Sequence, residues 1–402
     1  MDLLPQYRVL VASREAMGLL CAADSPASLL QCLREAWGLD GVGDDALVAE
    51  LNRCNREVLD CDADALAGHW FPHRYHAASR SLAWCLPDGP ATEPFQDEYI
   101  ARCRRQLAGS FIQPRTSIAP LLATAPEPLP VPAGLVFHLS RCGSTLVSGC
   151  LSTLDDTTVL SEPPPMTEVL LDASLGDASR CRLLQWLVAL QAAPFPGRGR
   201  VVVKWNAWDL FAWPVIREAF PGVPRLLLFR APEEILASHA RSAGRHMSGD
   251  PSLAPLSPVF SPGLADGTVL DQRIRVLLAL MEAMARLPEA PDSLALDYAQ
   301  LDSQALDAIC RHFRIALDDA GAVRMQARMA VHSKVPGQAF QPDAEAKRQW
   351  FDPGARQAIR QSLAAPYGDL GQRCGPGYSG SSPDPASQPA YDHGVLKPSS
   401  VW

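Results

Sequence analysis

A chain of 402 residues favours two domains and is long enough to bury a sizeable core. Its composition, 47% hydrophobic and 20% charged, is ordinary for a globular protein, and a net charge of −8 argues against nucleic acid as the main partner. Eleven cysteines, an odd number without a CxxC pair, suit free thiols in a reducing cytoplasm better than a disulfide frame.

Met1-Asp2-Leu3-Leu4-Pro5 lacks a basic stretch followed by an apolar one, so no signal peptide is read. No apolar run approaches membrane-spanning length, and a cytoplasmic chain is expected. Residues 1–119 form a mainly helical domain. Ser25-Pro26 is an N-cap followed by a first-turn proline, Leu29, Leu30, Leu33 and Trp37 share one face, and Gly38 ends the helix. Leu47, Leu51, Cys54 and Val58 repeat the pattern, as do Ile100, Cys103 and Leu107. Between them, His69, His73 and His76 fall in an aromatic stretch without metal-ligand spacing, which is assigned to irregular packing and no chemistry. Residues 120–132, PLLATAPEPLPVP, read as a stiff linker and the best domain boundary.

From residue 133 to 365 strands and helices alternate, the signature of an α/β domain with a central parallel sheet flanked by helices. Short apolar runs at 135–137, 158–160, 200–204 (RVVVK), 225–229 (RLLLF) and 293–297 are strands of the buried parallel type. Residues 247–267, rich in Pro, Ser and Gly, form a long loop of the kind that binds or covers ligands. A long apolar helix follows at 270–285, and residues 366–402 are expected to be a mobile tail.

The stretch 133–148, AGLVFHLSRCGSTLVS, is a strand, a tight loop and a helix start. A helix N-terminus offers unpaired N–H groups and a positive dipole end, so the loop is an anion site. Ser144 and Thr145 add hydroxyls, and Arg141 adds a planar cation. The loop has one glycine and no Gly-Lys-Ser/Thr, so it is not a Walker A motif, and GxGxxG is absent. A second signal lies at Arg230, which ends a buried strand, with Pro232 two residues on and Ser238 two helical turns later. An Arg there stands at the carboxyl edge of the sheet, where open α/β folds bind ligands.

This pair of motifs resembles the sulfotransferase family that uses 3′-phosphoadenosine 5′-phosphosulfate, a family with a P-loop-like fold. The resemblance covers roughly residues 133–363. It implies that Arg141, Cys142, Gly143, Ser144 and Thr145 hold the 5′-phosphosulfate, and that Arg230 and Ser238 hold the 3′-phosphate. It also implies that Arg141 and Lys204 stabilise the bridging oxygen as the S–O bond breaks, and that no metal is required. One branch of the family has a His two residues after the Lys of the third strand; here that position is Asn206. Another branch places a Glu at the end of the second strand, as Glu162 is here, and a desolvated carboxylate with a raised pKa suits a general base. His138 is the other candidate base, set against a packing role.

Ser333, Lys334, Lys347, Arg348, Arg241 and Arg245 are further candidates for phosphate contacts, set against surface charge. The expectation is sulfuryl transfer to a hydroxyl or amine of a small molecule or peptide, with no nucleic acid or membrane partner, and with a homodimer retained as one assembly. The rivals are a nucleotide-dependent kinase and an inactive nucleotide-binding interaction module. Residues 1–115 are expected to cover the acceptor pocket or to recruit a substrate-bearing partner.

Overall fold

The computed structural model describes residues 2–60, 65–195, 197–261, 267–289, 291–331, 347 and 349–374. The N-terminal portion opens with the helices Leu4–Ala12, Arg14–Cys21, Pro26–Trp37 and Asp44–Cys54, the last two of which are read from the sequence. The Ser25 cap and the left-handed Gly38 stop bound the third of them. Four strands follow: β1 (Val58–Leu59), β2 (Phe71–His76), β3 (Ser81–Cys85) and β4 (Arg115–Ser117), ordered β1-β4-β3-β2. This small sheet corrects the irregular assignment of the His69–His76 stretch. Pro72 and a bulge between Pro72 and Arg74 break the alternation by which a strand is recognised, and β3 is buried along its whole length.

The second sheet holds β5 (Gly134–His138), β6 (Thr157–Ser161), β7 (Arg200–Lys204), β8 (Arg225–Phe229) and β9 (Ser293–Asp297), all parallel, ordered β6-β7-β5-β8-β9. Helices cover both faces, which explains the near-continuous apolar strands. Leu135, Phe137, Val203 and Leu227 face one core, while Val136, Val202, Leu226 and Leu228 face another beneath the helices Ser144–Leu151 and Ser303–His312. The first of these cores continues into the N-terminal helices through Tyr7, Leu29, Leu51 and Trp84.

Register places the site. Ser161 pairs with Lys204, Val136 with Lys204, and His138 with Leu228, so β5, β6, β7 and β8 end side by side. The next residues, Glu162 and Arg230, therefore emerge on one edge.

Two expected boundaries shift. The linker begins as a helix, Ala119–Ala123, pinned where the Trp186 indole donates to the Thr124 carbonyl at 2.9 Å. The helix Pro353–Gln372 runs straight through Pro366, where the tail was expected to start. Packing outweighs the lost backbone bond there: Leu363 and Leu370 are buried, and Tyr367 Oη donates to Asp297 Oδ2 at 2.6 Å. The remainder of the expected tail, 375–402, lies outside the described residues.

Candidate active site

The carboxyl edge of the parallel sheet opens into a cavity of about 810 Å³. After His138 the chain turns through Ser140 (φ +66°), Arg141 (φ +54°) and Gly143 (φ +82°). Two non-glycine residues in the left-handed region, each a strained choice of order 1–3 kcal/mol, mark a loop whose shape is enforced by its surroundings. A Cβ on Gly143 would stand 2.4 Å from the Leu301 side chain, so only glycine fits. Gly143 then caps the helix Ser144–Leu151 without a side-chain hydrogen bond, and Ser144 and Thr145 line the cavity in its first turn.

Arg141 lines the same cavity and its Nη2 donates to the Ser242 carbonyl at 2.7 Å. Cys142 is buried, donates its thiol to the Leu228 carbonyl at 3.2 Å, and is pushed up to about 12 by burial. It is a packing residue and not a thiolate.

Arg230 and Ser238 reach the cavity from β8 and the helix Pro232–Arg241. Arg230 Nε donates to Glu234 Oε2 at 2.6 Å, its guanidinium lies 4.0 Å over the Tyr298 ring, and its Nη1 donates to the Arg141 carbonyl at 3.3 Å. That last bond ties the two sequence motifs together. Ser238 Oγ donates to the Glu234 carbonyl at 2.9 Å.

Lys204 ends β7 with no exposed surface. Its Nζ lies 3.0 Å from Glu162 Oε1 and 4.7 Å from the centre of the Phe95 ring. It stands behind Glu162, which itself lines the cavity. Glu162 also takes a left-handed backbone (φ +56°), with its N–H donating to the Lys204 carbonyl at 2.7 Å. Its acidity corrects the expectation of a raised pKa. Burial does push the carboxyl up, but the Lys204 charge and a hydrogen bond from His138 outweigh it and hold the group at about 2. His138 faces Glu162 with Nε2 at 3.4 Å, while its Nδ1 accepts the Ser140 N–H at 3.0 Å. An accepting Nδ1 places the ring proton on Nε2, toward the carboxylate.

Asn206 is consumed structurally. Its N–H donates to Asp209 Oδ2 and its Nδ2 to Thr167 Oγ1, both at 2.9 Å, and burial pushes Asp209 up to about 7.

Among the weaker candidates, Lys347, Arg241 and Arg245 line the cavity, with Arg245 also ion-paired to Asp250. Ser333, Lys334 and Arg348 lie outside the described residues. Among the described residues no group of three metal-ligating side chains is found, and no helix is long and apolar enough to cross a membrane.

Sequence reasoning expected residues 1–115 over the pocket but named none of the side chains that form this wall. Arg74, Phe95, Asp97 and Glu98 of the N-terminal portion line the cavity, with Arg74 bridging Glu168 at 2.8 Å and Asp97 at 3.1 Å. Trp208, His246 and Tyr298 complete it. None carries a local motif; only the docking of the small sheet brings the N-terminal four to the site.

No family model matches this chain, and no curated protein matches it. Among solved structures it is similar to a sulfotransferase domain from the curacin biosynthetic pathway, at 13% identity over 58% of this chain and 98% of that one, with a TM-score of 0.37. It is similar to a sulfotransferase from Alicyclobacillus acidocaldarius at 14% identity, 60% and 95% coverage and a TM-score of 0.36. Retinol dehydratase, in complex with androsterone and the inactive cofactor PAP, gives 14% identity, 59% and 82% coverage and a TM-score of 0.29.

Proposed function

We propose that this protein transfers a sulfuryl group from 3′-phosphoadenosine 5′-phosphosulfate to a hydroxyl or amine. The observation that carries the reading is the hydrogen bond from Arg230 Nη1 to the Arg141 carbonyl, because it joins two separate anion grips on one cavity. One grip is the helix N-terminus with Arg141, Ser144 and Thr145. The other is Arg230 with Ser238. Together they suit a nucleotide carrying two anionic groups, one at each end of the sugar, in a cavity with room for an acceptor beside it.

Sulfuryl transfer asks for in-line positioning and for positive charge where the leaving phosphate accumulates negative charge. Arg141 and the first-turn N–H groups stand at that place. Lys204, held by Glu162, adds positive field from behind the wall. Removing one such donor costs about 10²–10³ in rate. Glu162 acts here as the anchor of Lys204 and His138, its low pKa being that of a fixed anion. Residues of the N-terminal portion form the acceptor side of the cavity.

The test is a thermal shift with 3′-phosphoadenosine 5′-phosphate on wild type and on Arg230→Ala. Binding raises the melting temperature of wild type by mass action, and the variant loses the response. A wild type stabilised by ATP but not by the bisphosphate would overturn the reading in favour of a kinase.

A further inference from the structure

His246 lies in a short turn, Arg245–Met247, after the helix that carries Ser238. It lines the cavity, yet only 2% of its surface is exposed. Among the described residues neither of its ring nitrogens has a hydrogen-bond partner. A buried polar atom left in that state forfeits the hydrogen bonds it would make in water. Packing alone holds the ring: Trp208 lies at 5.3 Å, His239 meets it edge-on at 5.2 Å, and Gly244 approaches so closely that a Cβ there would stand 3.2 Å from the ring. Burial, with the nearby His138 and Arg141 adding to it and Glu162 opposing, pushes the group down to about 3. The ring is therefore neutral near pH 7 and keeps one unprotonated nitrogen.

Three neighbouring groups are committed elsewhere. Glu162 is ionised by Lys204, the His138 proton points at Glu162, and Asn206 is locked to Asp209 and Thr167. We propose that His246 takes the proton of the sulfuryl acceptor. This rests on the sulfuryl-transfer reading above. As the acceptor oxygen or nitrogen bonds to sulfur, the bridging S–O bond breaks and its electron pair stays on the leaving phosphate. The acceptor proton passes to the free ring nitrogen, giving an imidazolium that returns the proton to water once the product departs. Negative charge entering the cavity offsets the field of Arg141 and raises the basicity of His246 when it is needed. The hydrogen bond that the acceptor donates also satisfies the buried ring.

The experiment uses the full chain, 3′-phosphoadenosine 5′-phosphosulfate, and 4-nitrophenol, tyramine and water as acceptors. His246→Ala and His246→Asn should keep the thermal shift with 3′-phosphoadenosine 5′-phosphate and lose about 10²-fold in kcat/KM. Added imidazole should restore transfer to the Ala variant, whereas pyrrole, of the same shape without a basic nitrogen, should not. Wild-type kcat/KM in either variant would overturn the proposal, and so would equal rescue by pyrrole, which marks a packing role. Failure of the underlying reading looks different: wild type then either ignores the bisphosphate or binds it and releases sulfate to none of the three acceptors.

Discussion

The Phe95 ring covers the Lys204 ammonium, centroid to Nζ 4.7 Å, although the two residues belong to different sheets' surroundings and lie more than a hundred positions apart. The neighbouring Pro94 carbonyl accepts the Ser161 hydroxyl at 2.8 Å, which fixes the contact from the other side. A fully buried ammonium needs both its carboxylate and a polarisable face, and a desolvated cation–π contact contributes roughly 2 kcal/mol.

Replacing that ring tests whether the N-terminal portion supports the reacting centre. Phe95→Ala should lower turnover by up to about thirtyfold, the rate equivalent of a contact of this size. Phe95→Tyr keeps the aromatic face and should stay near wild type, and nucleotide affinity should hardly move in either, as isothermal titration will show.

Glu162→Gln leaves Lys204 buried without its counter-charge. Chemical denaturation should report a loss of about 3 kcal/mol at pH 7 and a steep fall in turnover. The sign of the pH dependence follows from a folded pKa of about 2 against an ordinary 4.5. The contribution is complete above pH 4.5 and is lost as pH falls toward 2. The wild type should therefore lose stability across that window more steeply than the Gln variant.

Gly143→Ala combines a left-handed backbone with a Cβ 2.4 Å from Leu301. The variant should be destabilised by about 1–3 kcal/mol. It should also lose the melting shift with 3′-phosphoadenosine 5′-phosphate, since Ser144 and Thr145 can no longer stand at the cavity wall.

Glu234→Ala removes the carboxylate that orients Arg230 and leaves Ser238 intact. Affinity for the bisphosphate should fall about tenfold, whereas adenosine 5′-phosphosulfate, which lacks the 3′-phosphate, should bind the variant and wild type alike. Titration of both ligands checks it. The tenfold figure corresponds to about 1.4 kcal/mol, close to the lower bound for a hydrogen bond to a charged group.

How much of this was legible in the chain depends on range. The parallel sheet was, because RVVVK and RLLLF can only be strands buried on both faces. The place of Arg141 and Arg230 at one sheet edge was, because each follows a strand end within a loop of a few residues. The small sheet was not: Pro72 disrupts β2, and β3 hides both faces. The acidity of Glu162 was not either, since it depends on Lys204 and His138, two residues on separate strands that only the register places together. His246 carried no signal at all, because what distinguishes it is the absence of partners among the described residues.

One apolar cluster runs without a break from Tyr7 and Leu29, through Trp84, to Phe137 and Val203 under the parallel sheet. Cooperativity follows from that continuity. Among the described residues this cluster leaves no seam along which the N-terminal helices can melt alone, so heating should give a single transition. Amide protection in the first helices should then rise when a nucleotide occupies the cavity, which makes helices that do not line it a reporter of binding.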